Sequence, residues 1–291
     1  MSLLDRILLP VDFSDRSFGA ARYIEALADK QDSEIHLVHV LIPLSYEMSA
    51  LDVGGTVISE LNTDREADLR EQLDSFLTEE LKPFRVFRHL LEGDPAKRIV
   101  EFAHSNHCGL IVMPTHGYGL FRRFLLGSVT AKVLHDADCP VWTGVHIEEA
   151  PSPEKIRFKK VMVAIDLCPE QALKAMSWGS QFAEKYGAEL EVVHAYPSLE
   201  GRSGETFDPN WRDYFTGIAR DEIGKMQAKI GLNTEVVLES GDIPQVVCGL
   251  ALARGADLLV IGRGSAAGMF GRLRANAYAI IRQSPCPVVS V

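Results

Sequence analysis

Short runs of consecutive Val, Ile and Leu recur along the chain, separated by stretches in which apolar residues return every three or four positions. "RILLPVDFS" from Arg6, "EIHLVHV" from Glu34 and "GLIVMPTHG" from Gly109 read as strands buried on both faces. Residues 14–29 and 169–186 read as helices, and so does "NTDREADLREQLDSFLTEEL", with apolar Leu69, Leu73, Phe76, Leu77 and Leu81 above a solvated face. Strands alternating with helices in this way predict a parallel sheet with helices on both faces.

The pattern occurs twice. "RILLPVDFS" returns as "KVMVAIDLC", so Asp12 matches Asp166, and "EIHLVHV" returns as "ELEVVHA", matching His39 with His194. "LEGDPAKRIVEFA" answers "LESGDIPQVVCGLA", "GLIVMPTHG" answers "DLLVIGRGS", and Cys139-Pro140 answers Cys286-Pro287. Matches in one order at a nearly constant offset mark a tandem duplication. The expected domains are 1–147 and 156–291, joined by 148–155, where Pro151 and Pro153 interrupt both periodicities. Each half is expected to be a doubly wound, Rossmann-like α/β domain with a five-stranded, mainly parallel sheet. Ligands of such sheets bind beyond the carboxyl ends of the strands, where the strand order reverses. Asp12 after strand one and the small residues after strand four then face one crevice.

Composition narrows the partners. The net charge is −10 and the pI about 5.4, without the basic footprint of a nucleic-acid binder. The longest apolar runs are strand-sized, so no membrane association is expected. No basic segment or cleavage site precedes the first strand, and five cysteines without C-x-x-C spacing suit a reducing compartment; a cytoplasmic location is expected.

The loop "MPTHGYGLFRRFLLGS" carries the candidate chemistry. Gly117 lets a ligand approach the backbone, and Gly127-Ser128 opens a helix whose free N–H groups favour an anion. Arg122 and Arg123 add positive charge, and His116 sits within the loop. The same residues also suit a glycine turn followed by a capped helix. It is neither a Walker loop nor a dinucleotide fingerprint. In the second half, aligning Gly262 with Pro114 puts Ser265 at Gly117, Ala275 at Gly127 and Asn276 at Ser128. That crevice is read as degenerate, or as modified for another anion or a nucleotide with fewer phosphates. His104, His107 and Cys108 lack further residues at ligand spacing and read as a helix end rather than a metal site. His39 and His194 read as shaping the pocket or its packing.

The chain as a whole resembles the universal stress protein family in its tandem form. The resemblance rests on "LPVDFS", on "DCPV", and on the family's Gly-x-x-Gly, nine residues, Gly-Ser/Thr. Here that motif stands as Pro114 to Gly117, Tyr118 to Leu126, then Gly127-Ser128, with Pro114 replacing the first glycine. The resemblance implies an ATP site, with or without magnesium. Pro10, Val11 and Asp12 would lie on the adenine and ribose side, Val40 would meet the base, and Met113, Pro114, His116, Gly117, Arg123, Gly127, Ser128 and Val129 would complete the ribose and phosphate side. It further implies pairing of the two domains within the chain through their closing strands, with a homodimer as a further option and an unidentified signalling protein as partner. A non-enzymatic ATP-binding module is the leading expectation. A slow ATP hydrolase or nucleotidyl-transfer enzyme, and a structural protein with vestigial pockets, remain as alternatives.

Overall fold

A computed structural model describes residues 3–28, 32–43, 55–115, 126–144, 147, 150–197, 209–263 and 275–291. Its first repeat runs β1 (Arg6–Pro10), α1 (Arg16–Leu27), β2 (Glu34–Leu41), α2 (Gly55–Ser75), β3 (Arg85–Glu92), α3 (Pro95–Ser105), β4 (Leu110–Val112), α4 (Ser128–Asp136) and β5 (Val141–Thr143). The second runs β6 (Lys160–Ala164), α5 (Pro169–Tyr186), β7 (Glu189–Tyr196), α6 (Pro209–Lys229), β8 (Val236–Ser240), α7 (Ile243–Arg254), β9 (Leu258–Ile261), α8 (Ala275–Gln283) and β10 (Val288–Ser290). The strand order is the same in both, β3-β2-β1-β4-β5 and β8-β7-β6-β9-β10. The pairings β1–β2, β1–β4, β2–β3, β6–β7, β6–β9, β7–β8 and β9–β10 are all parallel. The tandem doubly wound α/β fold expected from the periodicity is therefore present.

Two compact units emerge, one of residues 1–141 with 147–156, the other of residues 142–146 with 157–291. In the first, Ile7, Leu8, Leu9, Leu110, Ile111 and Val112 are fully buried, as a strand covered on both faces requires. Part of the segment after β5 also belongs here: a 3₁₀ turn at Pro153–Lys155, and Ala150, whose carbonyl accepts from Arg22 Nη1 of α1 at 2.6 Å. The second unit includes Trp142, which is fully buried against Phe158 and Phe182, with ring centroids at 5.6 and 5.9 Å. Phe182 in turn stacks on Trp178 at 5.1 Å.

The helix expected through Leu81 stops at Ser75. Leu77 adopts a left-handed backbone (φ 55°), which a continuing right-handed helix cannot include. Leu73, Leu77 and Leu81 nevertheless stay buried, so the apolar spacing serves a series of turns instead.

The Gly-Asp corners fix where the next helix starts. Gly93 has φ +132° and Gly241 +154°, values that disfavour any side chain. Their N–H groups donate to Leu41 and Tyr196 carbonyls at 3.0 and 2.9 Å, tying the exit of the third strand to the second. Asp94 then caps α3 by accepting from the Lys97 N–H at 2.8 Å, and Asp242 caps α7 through Gln245 at 3.2 Å. The Lys97 N–H and the Lys132 ammonium, 3.1 Å away, hold the Asp94 carboxyl below the usual carboxylate range. Asp94→Ala should cost about 1 kcal/mol, the usual worth of such a cap. Chemical denaturation at neutral pH checks this, and the difference from wild type should shrink as the pH falls through the usual carboxylate range and below it, where the folded Asp94 protonates.

Candidate functional site

Because β1 lies between β2 and β4, with Ile7 beside Leu110 and Leu8 beside Ile111, the ends of β1 and β4 emerge side by side. This is the point where the strand order reverses, and it brings Pro10, Val11 and Asp12 next to Met113, Pro114 and Thr115. Val40 lies near the end of β2, the next strand over. His116, Gly117, Arg122 and Arg123 fall outside the described residues.

The turn after β1 is held from several directions. The Val11 N–H donates to Val38 O at 2.9 Å, and the Val11 carbonyl lies 2.8 Å from His39 Nδ1. A carbonyl only accepts, so His39 carries its proton on Nδ1. Burial lowers the His39 pKa, opposed by this bond and by the nearby Asp12. The Phe13 ring packs on His39 with centroids 4.5 Å apart, and Phe13 has a left-handed φ of 60°. The same clamp recurs in the second unit, where His194 Nδ1 donates to Ile165 O at 2.9 Å. The recurrence of these histidines was visible in the sequence; their hold on a carbonyl was not.

Asp12 is oriented from within its own turn. Its Oδ1 accepts the Ser14 N–H at 3.1 Å and the Ser14 hydroxyl at 2.6 Å, and among the described residues Oδ2 has no hydrogen bond. Asp166 accepts the Cys168 N–H in the matching way, at 3.0 Å.

Across the crevice, two bonds close the neck of the loop between β4 and α4. The Gly127 N–H donates to Thr115 O at 2.8 Å, and the buried Thr130 hydroxyl donates to Pro114 O at 3.0 Å. The Gly127 N–H is thus already committed, and what this residue offers a ligand is its missing side chain. Gly127 is also the N-cap of α4, with no side-chain cap and no acidic residue in the first turn. Ser128 is exposed and its hydroxyl makes no hydrogen bond among the described residues. The N–H groups of this first turn are therefore available, at the positive end of the helix dipole.

The second unit carries a cavity of about 200 Å³ at the corresponding place. Asp166, Ala195, Ile261 and Gly262 line it at the strand ends, and Asn276 and Ala277 at the start of α8. Ser128 and Ala275 are the first residues of their helices, and the buried pairs Val133–Leu134 and Ile280–Ile281 follow at the same distance. Ala275 therefore stands opposite Ser128, one position from where the motif spacing put it, and Asn276 stands opposite Val129. The loop of the second copy is one residue shorter, and its helix opens without the hydroxyl.

Among the described residues no three His, Cys, Asp or Glu side chains gather in a way that could hold a metal ion. No described helix is long and apolar enough to cross a membrane.

Two doubly wound units, each with a switch point at the carboxyl ends of its strands, define a tandem α/β protein. The chain belongs to the universal stress protein family: that family's model matches residues 4–143 and again residues 157–291. Universal stress protein MJ0531 of Methanocaldococcus jannaschii is 32% identical over 140 residues, covering 48% of this chain and 81% of that protein. Universal stress protein MJ0577 of the same organism is 27% identical over 150 residues, covering 47% and 91%. A crystal structure of a universal stress protein from Archaeoglobus fulgidus superposes with a TM-score of 0.72 over 98% of this chain and 97% of that one, at 22% identity. The whole two-unit fold thus has a solved counterpart.

Proposed function

We propose that the chain is an ATP-binding module that acts by nucleotide occupancy rather than by turnover, and that the first unit holds the nucleotide. The observation that carries this reading is the uncapped start of α4, with the uncommitted Ser128 hydroxyl, at the same crevice as the pre-oriented Asp12. Phosphates suit the first-turn N–H groups of α4 and Ser128, while Asp12 Oδ2 suits a ribose hydroxyl. Val11 and Met113, both buried, with Val40 on the neighbouring strand, offer the base an apolar slot. Gly117, His116 and Arg123 belong to the same proposal on the strength of the motif. Any magnesium would arrive on the phosphates.

Phosphoryl transfer needs an in-line nucleophile, neutralised charge and usually a fixed metal. Asp12 stands at the ribose side of this arrangement, and Asp94 is engaged with Lys97 and Lys132. Neither carboxylate is placed to orient water at a terminal phosphate. Pairing of the two domains through their closing strands belongs to the same proposal, as do a cytoplasmic setting and a signalling protein that reads the occupied state.

Calorimetric titration of the full chain with ATP should give one site per chain, because only α4 opens with Gly-Ser. Phosphate release over hours should stay near the solution background. Two equal sites would overturn the assignment to the first unit, and multiple turnovers abolished by Ser128→Ala or Asp12→Ala would replace occupancy by hydrolysis. Absence of binding at millimolar ATP would leave a structural role.

A further inference from the structure

Away from the crevice, the first unit packs two histidines against each other, His36 buried and His89 half-buried. His36 is the third residue of β2 and only 7% exposed, and its Nδ1 lies 3.1 Å from Nε2 of His89 on β3. The rings stack at 5.3 Å, and Phe102 of α3 packs on both, at 5.6 Å from His36 and 4.6 Å from His89. Phe87 covers the other side of His36 at 5.2 Å. This pair joins β2, the edge strand β3 and α3.

The charged surroundings decide how the pair holds its protons. Glu34 Oε2 is 4.0 Å from His36 Nε2, a nitrogen that is buried without a hydrogen-bond partner. A carboxylate there favours the proton on His36 Nε2, which leaves Nδ1 as acceptor for the His89 Nε2–H. Glu34 has little charge to spare, because Arg6 Nε binds it at 3.0 Å and Arg85 Nη2 at 2.8 Å. Arg6 also donates to Asn106 O, at the end of α3, at 2.9 Å. The other titratable side chains of α3, namely Lys97, Arg98, Glu101 and His104, are exposed. Among the described residues neither ring has a further carboxylate partner to balance two imidazolium charges at hydrogen-bond distance.

The second unit fills the same position differently. Glu191, the third residue of β7 and 5% exposed, receives Arg254 Nη1 from the last residue of α7 at 2.7 Å. One repeat closes this junction with two imidazoles, the other with a carboxylate–guanidinium ion pair.

We propose that the His36–His89 pair is an acid-sensitive latch: mild acidification releases α3 and β3 from β2 in the first unit while the matching edge of the second stays closed. Burial lowers the pKa of both rings; for His36 the neighbouring His89 adds to this, Glu34 opposes it and Arg6 adds to it. The folded pair thus binds fewer protons than the unfolded chain. Its stabilisation is complete above the ordinary imidazole value of 6.5 and is lost as the pH falls below that value.

Hydrogen-exchange mass spectrometry on the full chain, corrected for the intrinsic rate, tests this at about pH 7.5 and about pH 5.5. Peptides from β3 and α3 should lose protection about tenfold, the factor that one proton taken up on opening sets over the pH unit below 6.5, while β8 and α7 keep theirs. The double variant His36→Gln with His89→Gln, whose amides can bond without titrating, should remove the difference. Equal protection of β3 and α3 at both pH values, an equal loss in β8 and α7, or an unchanged response in the double variant would overturn the latch. Should that variant fail to fold, ring NMR titration of the wild type decides: both histidines titrate below 6.5, and one titrating at the ordinary value sinks the proposal.

Discussion

Gly127→Val should abolish ATP binding while leaving the first unit folded. Gly127 sits at φ −60° and ψ 146°, an extended conformation that a β-branched residue adopts readily. Its N–H bond to Thr115 and the Thr130 bond to Pro114 survive the substitution, so the neck of the loop stays closed. The new isopropyl group stands at the start of α4, where the proposed phosphates would press against the backbone. Losing a charge-assisted contact costs roughly 1.5–3 kcal/mol, a ten- to hundredfold drop in affinity before steric exclusion is counted. Titration calorimetry together with a thermal melt checks both halves of the statement. Unchanged affinity in a folded Gly127→Val protein would remove the phosphates from this position.

How far the sequence already contained this site depends on how local each feature is. The Gly-Asp corners and the Asp after strand one are contiguous motifs whose repetition placed them on equivalent elements, and the Gly-Ser helix start is a contiguous motif of the first repeat alone. The parallel sheet followed from the periodicity, because continuous Val/Ile/Leu runs suit a sheet covered on both faces, whereas the order of its strands came from the structure. What escaped was decided by contacts far apart in the chain. The spacing of Leu73, Leu77 and Leu81 is the same whether helix or turns bury them, and only the left-handed Leu77 settles it. The one-residue shortening of the second loop lies between two well-matched stretches, where spacing alone cannot place a gap. The His36–His89 contact spans 53 residues and leaves no local trace. Its one sequence signal is negative: Glu191 stands where the first repeat has histidine, in an otherwise matched strand.

Trp142→Ala should destabilise the second unit, although the residue precedes nearly all of that unit in the chain. β5 is divided between the units: Val141 belongs to the first, whereas Trp142 and Thr143 belong to the second. Trp142 is fully buried, and its neighbours Phe158, Phe182 and, one ring further, Trp178 form one aromatic cluster within that unit. Phe182 also packs on Tyr186 near the end of α5, at 4.5 Å, so the cluster anchors this helix as well. Removing an indole from such a core forfeits its burial and leaves a cavity that close-packed rings fill poorly, at a cost of about 3–5 kcal/mol. An exposed tryptophan at a domain boundary would cost a few tenths. The measurement is scanning calorimetry of wild type and variant, with hydrogen exchange to assign each transition to its unit. Protection should fall in α5 and in the segment around Phe158, while β1 to β4 keep theirs. A loss confined to the first unit, or one below about 1 kcal/mol, would mean that Trp142 is not part of the second core.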